Sequence, residues 1–270
     1  MSGLKMISVP VDMRELRRLA ALRQTSNDEG RALHHLLSET FGKSLLQPFR
    51  LMVAPQAREG TLYAYTDVPE TTLQDHSALA APELLGVFKA QHLSCRDMPQ
   101  RWREGRRVAF DLRVRPVRRL LKPLEAWSRE DNRLALSGKT PHGPIRKGRE
   151  VDAFLVARMR RYPDGMPAGH EGGGDALSRE AVYVDWLVER FEGAAVLDKD
   201  RTHMTKFIRS MTGRRSTAGA EALSGGPDAT FHGELTIIDS DGFSKLLGSG
   251  VGRHRAYGYG MLLLRPASGG

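Results

Sequence analysis

The sequence predicts an α+β protein made of two successive βαββαβ units, and three observations carry that prediction. Apolar residues alternate with period two in some segments and recur with the helical period in others. The order strand, helix, strand, strand, helix, strand can be read twice along the chain. The 270-residue length and 40% hydrophobic content suffice for one large or two small domains with genuine cores.

Residues 4–11 mix Val, Ile and Met as a strand, and from Asp12 to Gln24 the spacing of Met13, Leu16, Leu19 and Ala20 turns helical. Thr25-Ser26-Asn27-Asp28 offers candidate N-caps for a second helical segment. There Ala32, Leu33, Leu36, Leu37, Thr40 and Phe41 share one face until Gly42 stops the helix. Strands are expected at 49–54 and 61–66, a short helix at 80–89 and a closing strand at 91–99. The strand at 107–115 sets Val108, Phe110, Leu112 and Val114 against Arg107, Asp111, Arg113 and Arg115, so one face is core and the other is charged. About 120–176 reads as a Gly-, Pro- and charge-rich insertion interrupted by a helix at 149–161 that ends in Arg158, Arg160 and Arg161. An amphipathic helix at 179–192, with Val182, Tyr183, Trp186 and Leu187, precedes a basic hairpin at 203–218 and a strand at 231–238. A helix from about 241, a glycine-rich loop at 248–260 and the strand Met261-Leu262-Leu263-Leu264 end the second unit. This order suggests tandem ferredoxin-like (RRM-like) domains, 1–103 and 104–270, though no residue-level repeat links the halves.

The 41 Lys and Arg against 32 Asp and Glu leave a net charge of +9, which favours a polyanionic partner, nucleic acid first. The single Cys95 rules out an internal disulfide framework and a cysteine-rich zinc site, and suits the cytoplasm. No apolar run approaches the ~20 residues that span a bilayer, and Met1 to Val11 lacks a signal-peptide core. The nine histidines show no His-Glu-x-x-His or other ligand spacing, so no metal or other cofactor is expected.

The most specific segment is Gly250-Val251-Gly252-Arg253-His254-Arg255-Ala256-Tyr257-Gly258-Tyr259-Gly260. Its glycines allow close backbone approach, and Arg253 and Arg255 are suited to phosphates. It is not a Walker A loop, lacking Gly-Lys-Ser/Thr, and it precedes a strand where a dinucleotide fingerprint follows one. A glycine-rich turn that only packs the last strand is the plainer reading.

Gly-Val-Gly-Arg followed by Ala-Tyr-Gly-Tyr-Gly-Met-Leu-Leu-Leu resembles the C-terminal signature of CasE-type CRISPR repeat-RNA endoribonucleases. The Phe231-His232-Gly233-Glu234-Leu235 strand, the Asp241-to-Leu247 helix and the Arg113-Val114-Arg115-Pro116 strand end also fit. The resemblance implies a protein that binds repeat hairpins and cuts precursor crRNA by 2′-hydroxyl attack, without a metal. It implies 2′,3′-cyclic phosphate and 5′-hydroxyl ends, and retention of the crRNA with the other subunits of an effector complex of type I-E or a type IV-like branch. It places the general acid-base histidine one to two turns before an aromatic residue that closes the first helical segment, which fits His34 with Phe41. His35 competes for the role, pointing ~100° away around the helix. The family often has a tyrosine one turn earlier; here Arg31 stands there, a fixed cation suited to a phosphorane-like transition state. Arg31, His34, His35 and Ser38 share helical spacing. The resemblance also makes the hairpin, with Lys206, Arg209, Arg214 and Arg215, the approach to the RNA stem. Further RNA-contact candidates are Arg23, Arg113, Arg115, Arg158, Arg161, Gly250, Gly252, Arg253, His254, Arg255 and Tyr257. A non-catalytic crRNA-binding subunit of an effector complex is the alternative reading.

Overall fold

The structure, a computed structural model, describes residues 3–124, 144–162, 177–215 and 221–267, with backbone alone at 211–215 and 221–225. In the first half the elements are β1 (Lys5–Asp12), α1 (Met13–Leu22), α2 (Glu29–Phe41), β2 (Phe49–Met52), β3 (Glu59–Thr66), α3 (Glu70–Ala78), α4 (Pro82–Val87) and β4 (Ser94–Asp97). The strands form an antiparallel sheet in the order β2-β3-β1-β4, with Lys5 opposite Thr66 and Asp12 opposite Glu59. The Asp12 carboxylate caps α1 by accepting from the amides of Arg14 and Glu15, and Asp28 caps α2 through the Arg31 amide. Gly42, at φ 101°, ends α2 in a conformation that side-chain-bearing residues avoid. Ile7, Val9 and Val11 of β1 pack with Leu16 and Leu19 of α1 and with Leu33, Leu36, Leu37 and Phe41 of α2. Fully burying such side chains stabilises the fold by about 1.5–3 kcal/mol each.

The second half contains β5 (Arg107–Val114), β6 (Val117–Arg119), β7 (Glu150–Asp152), α5 (Ala153–Arg161), α6 (Arg179–Phe191), β8 (Ala195–Arg215), β9 (Glu221–Ile237), α7 (Ser240–Ser249) and β10 (Leu262–Pro266). Its sheet is again antiparallel, ordered β10-β5-β9-β8, while β6 and β7 pair separately. Val108, Phe110, Leu112 and Val114 are buried as the alternation predicts, against Tyr183, Trp186 and Leu187 of α6 and Phe243 and Leu247 of α7. The halves are fastened together: the Tyr65 hydroxyl donates to the Leu262 carbonyl at 2.9 Å, and Arg50 Nη2 lies 3.4 Å from Asp111 Oδ1.

Several elements differ from the sequence expectation, among them the helix expected at 149–161, which begins only at Ala153, after strand β7. The helix at 80–89 is only 82–87, and α3 precedes it. In α3 only Leu73 and Ser77 are buried, so it leaves almost no apolar period to read. The basic segment 203–215 is not a hairpin in itself but one arm of a longer one: β8 pairs with β9 from Ala195 opposite Ile237 to Arg215 opposite Glu221. Residues 216–218 of that expectation, and 125–143 and 163–176 of the insertion, lie outside the described residues. No described helix is long and apolar enough to cross a membrane.

Candidate active site

The glycine-rich loop folds back from α7 onto the first half of the protein. Gly250, Gly252, Gly258 and Gly260 all have positive φ, and two of them show why glycine is needed. A Cβ on Gly252 would stand 2.8 Å from Trp186, and one on Gly260 would stand 2.4 Å from the Val251 carbonyl oxygen. The loop closes on itself through Val251 N–H to Gly260 O at 2.8 Å, and on β5 through Gly260 N–H to Arg113 O at 2.7 Å. Gly250 and Gly258 lie against Pro48 and Phe49, at the start of β2.

The short helical turn Arg255–Tyr257 lies on α2. Gly30 makes that approach possible, because a Cβ there would be 2.4 Å from the Tyr257 carbonyl oxygen. The Tyr257 ring then meets the His34 ring edge-on, centroids 5.3 Å apart, with His35 at 5.4 Å from His34. His34 is half-buried; desolvation pushes its imidazole pKa below the ordinary value, and the neighbouring His35 pushes the same way. A half-buried imidazole kept neutral near pH 7 is suited to taking a proton.

Glu150, at the start of β7, holds the loop from the other side. Its carboxylate accepts from Arg253 Nε at 2.5 Å and from His254 Nε2 at 2.7 Å. The His254 hydrogen bond chiefly, with the Arg253 guanidinium, keeps the Glu150 carboxyl below the usual carboxylate range. His254 has φ 64°, a left-handed conformation, and its carbonyl accepts the Tyr257 amide at 2.9 Å. The chain of contacts therefore runs from Glu150 through His254 and Tyr257 to His34.

The remaining candidates fall into separate places. Arg31 and His35 line a shallow depression with Arg23, and Arg23 is bonded to both oxygens of Glu39 at 2.7 and 2.8 Å. His34 does not line that depression, so the helical spacing that groups Arg31, His34, His35 and Ser38 opens onto two surfaces. Arg113 and Arg115 lie beneath the loop: Arg113 forks onto Asp228 at 2.9 and 2.6 Å, and Arg115, only 7% exposed, donates to Ser210 Oγ at 2.7 Å. Both guanidinium groups stack over Tyr259, whose hydroxyl donates to Asp228 at 3.2 Å, so this network braces the loop. Arg255 donates to the Ser249 carbonyl, and its side chain is exposed, as is that of Tyr257. Lys206 is exposed on β8, while Arg209 reaches Asp152 at 3.2 Å. Arg158 and Arg161 end α5, with Arg161 over the Tyr162 ring. Arg214 and Arg215 are the last two residues of β8, and their side chains lie outside the described ones. Among the described residues no three His, Cys, Asp or Glu side chains converge as metal ligands. Gly30, Glu150, Asp228 and Tyr259 were not among the sequence candidates. Gly30 left a signal there, as a glycine in the first turn of α2, and Tyr259 lies within the glycine-rich segment itself.

The chain belongs to the CRISPR associated protein family, whose model matches residues 6–266. It is similar in fold to the CRISPR endoribonuclease Cse3 bound to a 19 nt RNA, at TM-score 0.62 and 18% identity, over 98% of this chain and 100% of that one. Cse3 of Thermus thermophilus, bound to an RNA representing a pre-cleavage complex, matches at TM-score 0.56 and 18% identity, over 98% and 100%. Cas6e of Escherichia coli K-12 matches at TM-score 0.53 and 18% identity, over 97% and 99%. No curated protein sequence matches the chain.

Proposed function

We propose that the protein is a CasE-type endoribonuclease that binds CRISPR repeat hairpins and cuts precursor crRNA by 2′-hydroxyl attack. The observation that carries the reading is the seating of Tyr257, from the glycine-rich loop, on His34 of α2. It joins the glycine-rich loop, a segment suited to phosphates, to a half-buried histidine whose pKa is lowered. The family model and the fold likeness to Cse3, a structure of which is named as an endoribonuclease bound to RNA, and to the CRISPR-associated protein Cas6e support the same class.

In this reading neutral His34 takes the proton from the ribose 2′-hydroxyl as its oxygen bonds to the adjacent phosphorus. The bond from phosphorus to the 5′-oxygen breaks, that oxygen takes a proton from solvent water, and the His34 imidazolium returns its own proton to solvent. The products are a 2′,3′-cyclic phosphate and a 5′-hydroxyl. Arg255, exposed beside Tyr257, and the loop amides face the scissile phosphate and stabilise the charge that develops on it. Arg31 and His35 act from the neighbouring depression, where the RNA passes Arg23. Lys206, Arg209, Arg214 and Arg215 on the arm of the long hairpin meet the repeat stem. No metal takes part. The strand orders support reading 1–103 and 104–270 as two ferredoxin-like domains, with the insertion carried by the second. A surveillance complex guided by CRISPR RNA contains a chain similar in fold at TM-score 0.51 and 15% identity, which supports retention of the product with partner subunits; the single cysteine suits the cytoplasm as the place.

The test is cleavage of labelled repeat RNA in EDTA by the wild type and by His34→Ala, with a 2′-deoxy substitution at the cut site. Wild-type cleavage to a cyclic phosphate, lost with either change, is the expected result. Binding without cleavage by the wild type would assign the protein to the non-catalytic crRNA-binding class instead.

A further inference from the structure

A groove away from the glycine-rich loop opens at the N-terminal end of α1. It encloses about 480 Å³ and is lined by Met13, Arg14, Arg17 and the β2-to-β3 connection, chiefly Val53, Gln56 and Arg58. Arg14 and Arg17 stand on one face of α1, three residues apart, and Arg58 is brought to them because its carbonyl accepts the Met13 amide at 3.0 Å. All three arginines are exposed, and among the described residues none of their guanidinium groups has a side-chain hydrogen bond or ion pair.

The acids nearby are committed elsewhere. Asp12 accepts the amides of Arg14 and Glu15, Glu15 pairs with Arg18, and Glu59 pairs with Lys89. No carboxylate lines the groove, so it holds three unneutralised positive charges at one place. This contrasts with the arginines of the second sheet, where Arg107 and Arg113 each meet a carboxylate. The lining has no aromatic ring on which a base could stack, and its other residues are small or unbranched except Val53. Such a surface recognises phosphodiester charge and not base identity.

The position of the groove decides which part of an RNA can reach it. Phe49, on which Gly258 of the loop rests, begins β2, and Val53 follows its end. Four residue-to-residue steps of extended strand separate them, about 13 Å at ~3.3 Å per step. We propose that this groove binds the phosphate backbone of single-stranded RNA flanking the hairpin, as it leaves the site between α2 and the glycine-rich loop. The proposal rests on the RNA-processing reading for the identity of the strand, but not for the presence of a site for single-stranded RNA.

The experiment measures binding of three RNAs across a salt series: the repeat hairpin alone, the hairpin with a single-stranded flank on either side in turn, and a short single strand of mixed sequence. Wild-type protein is compared with the triple variant Arg14→Ala, Arg17→Ala, Arg58→Ala and with the matching triple lysine variant. A flank on one side is expected to tighten wild-type binding at least tenfold at low salt. The alanine variant loses that gain and the single-strand binding, yet holds and cuts the bare hairpin as the wild type does. Lysine keeps most of the gain. The slope of log affinity against log salt falls by about 2 for the flanked RNA, at ~0.7 per phosphate contact in a single strand. A flank gain that survives in the alanine variant overturns the proposal. So does a wild type indifferent to flank and single strand, which leaves the groove to an acidic protein surface. Failure to bind or cut the bare hairpin, with the single strand still bound through the three arginines, sinks the processing reading and leaves the groove assignment standing.

Discussion

Replacing Gly30 by alanine separates the demands of the helix from those of the site. In isolation α2 favours the change, since alanine is the better helix former by up to about 1 kcal/mol. The added Cβ stands 2.4 Å from the Tyr257 carbonyl oxygen, whereas ordinary contact begins at 3.4 Å. The turn carrying Tyr257 must therefore retreat from α2 by 3.4 − 2.4 = 1.0 Å, or its docking is lost. A misplacement of about 1 Å at a reacting centre costs on the order of 100-fold in rate. Gly30→Ala is expected to melt within a few degrees of the wild type, keep its helix content and bind the repeat hairpin, while single-turnover cleavage falls about 100-fold. Wild-type cleavage by a folded Gly30→Ala protein would show that the contact between α2 and the loop is packing without consequence for chemistry, and the assignment of Tyr257 to the site would go with it.

Glu150→Gln removes the negative charge that holds Arg253 and His254, so cleavage is expected to fall about tenfold through a looser loop, while hairpin binding holds or tightens because a repulsive charge has gone. Weaker hairpin binding with unchanged cleavage would refute the latch. Because the Glu150 carboxyl is held below its ordinary pKa, its contribution to stability is present above about pH 4.3 and lost as pH falls through the folded value. Thermal melts of wild type and variant should therefore differ at neutral pH and converge in acid. For His34 the sign runs through the imidazole: burial and His35 lower its pKa, so the neutral base persists below pH 6.5 and the acid limb of the cleavage rate has its midpoint under that value. His35→Ala removes one of those two causes, and the limb should move to higher pH; a limb that stays in place assigns the titration to another group.

What the sequence made legible was what repeats locally. The six residues of α2 read as one apolar face, Ala32, Leu33, Leu36, Leu37, Thr40 and Phe41, are its buried set, and β5 buries the four residues its alternation marks. The strand β8 escaped because its pairing slips between Asp198 and His203 and again between Met204 and Lys206, which breaks the period that would have announced one long arm. The family resemblance singled out His34, ahead of Phe41 on α2, and the glycines marked the loop. Their contact was not legible, nor was Glu150, whose partner His254 is 104 residues away. A carboxylate in a charge-rich insertion carries no local mark of the pairing that the tertiary fold supplies.

The same distinction sorts the protein's positive charge. A surplus of basic residues gives a field but not a site, and many of the arginines that sequence patterning singles out most strongly serve the fold. Arg113 answers Asp228, Arg115 answers Ser210 and the Tyr259 ring, and Arg23 answers Glu39. Such pairs are held in place by the sheet, and an incoming phosphate would have to compete with a carboxylate already at hydrogen-bonding distance. Arg253 is an intermediate case, since Glu150 lies close enough to hold it while its side chain is half exposed. Arg255 beside Tyr257, and Arg14, Arg17 and Arg58 at the groove, have no carboxylate to displace among the described residues. If binding energy follows unneutralised charge and not total charge, alanine at Arg14 or Arg17 weakens flank binding more than alanine at Arg113 does, although Arg113 lies in the strand that the sequence marks as cationic.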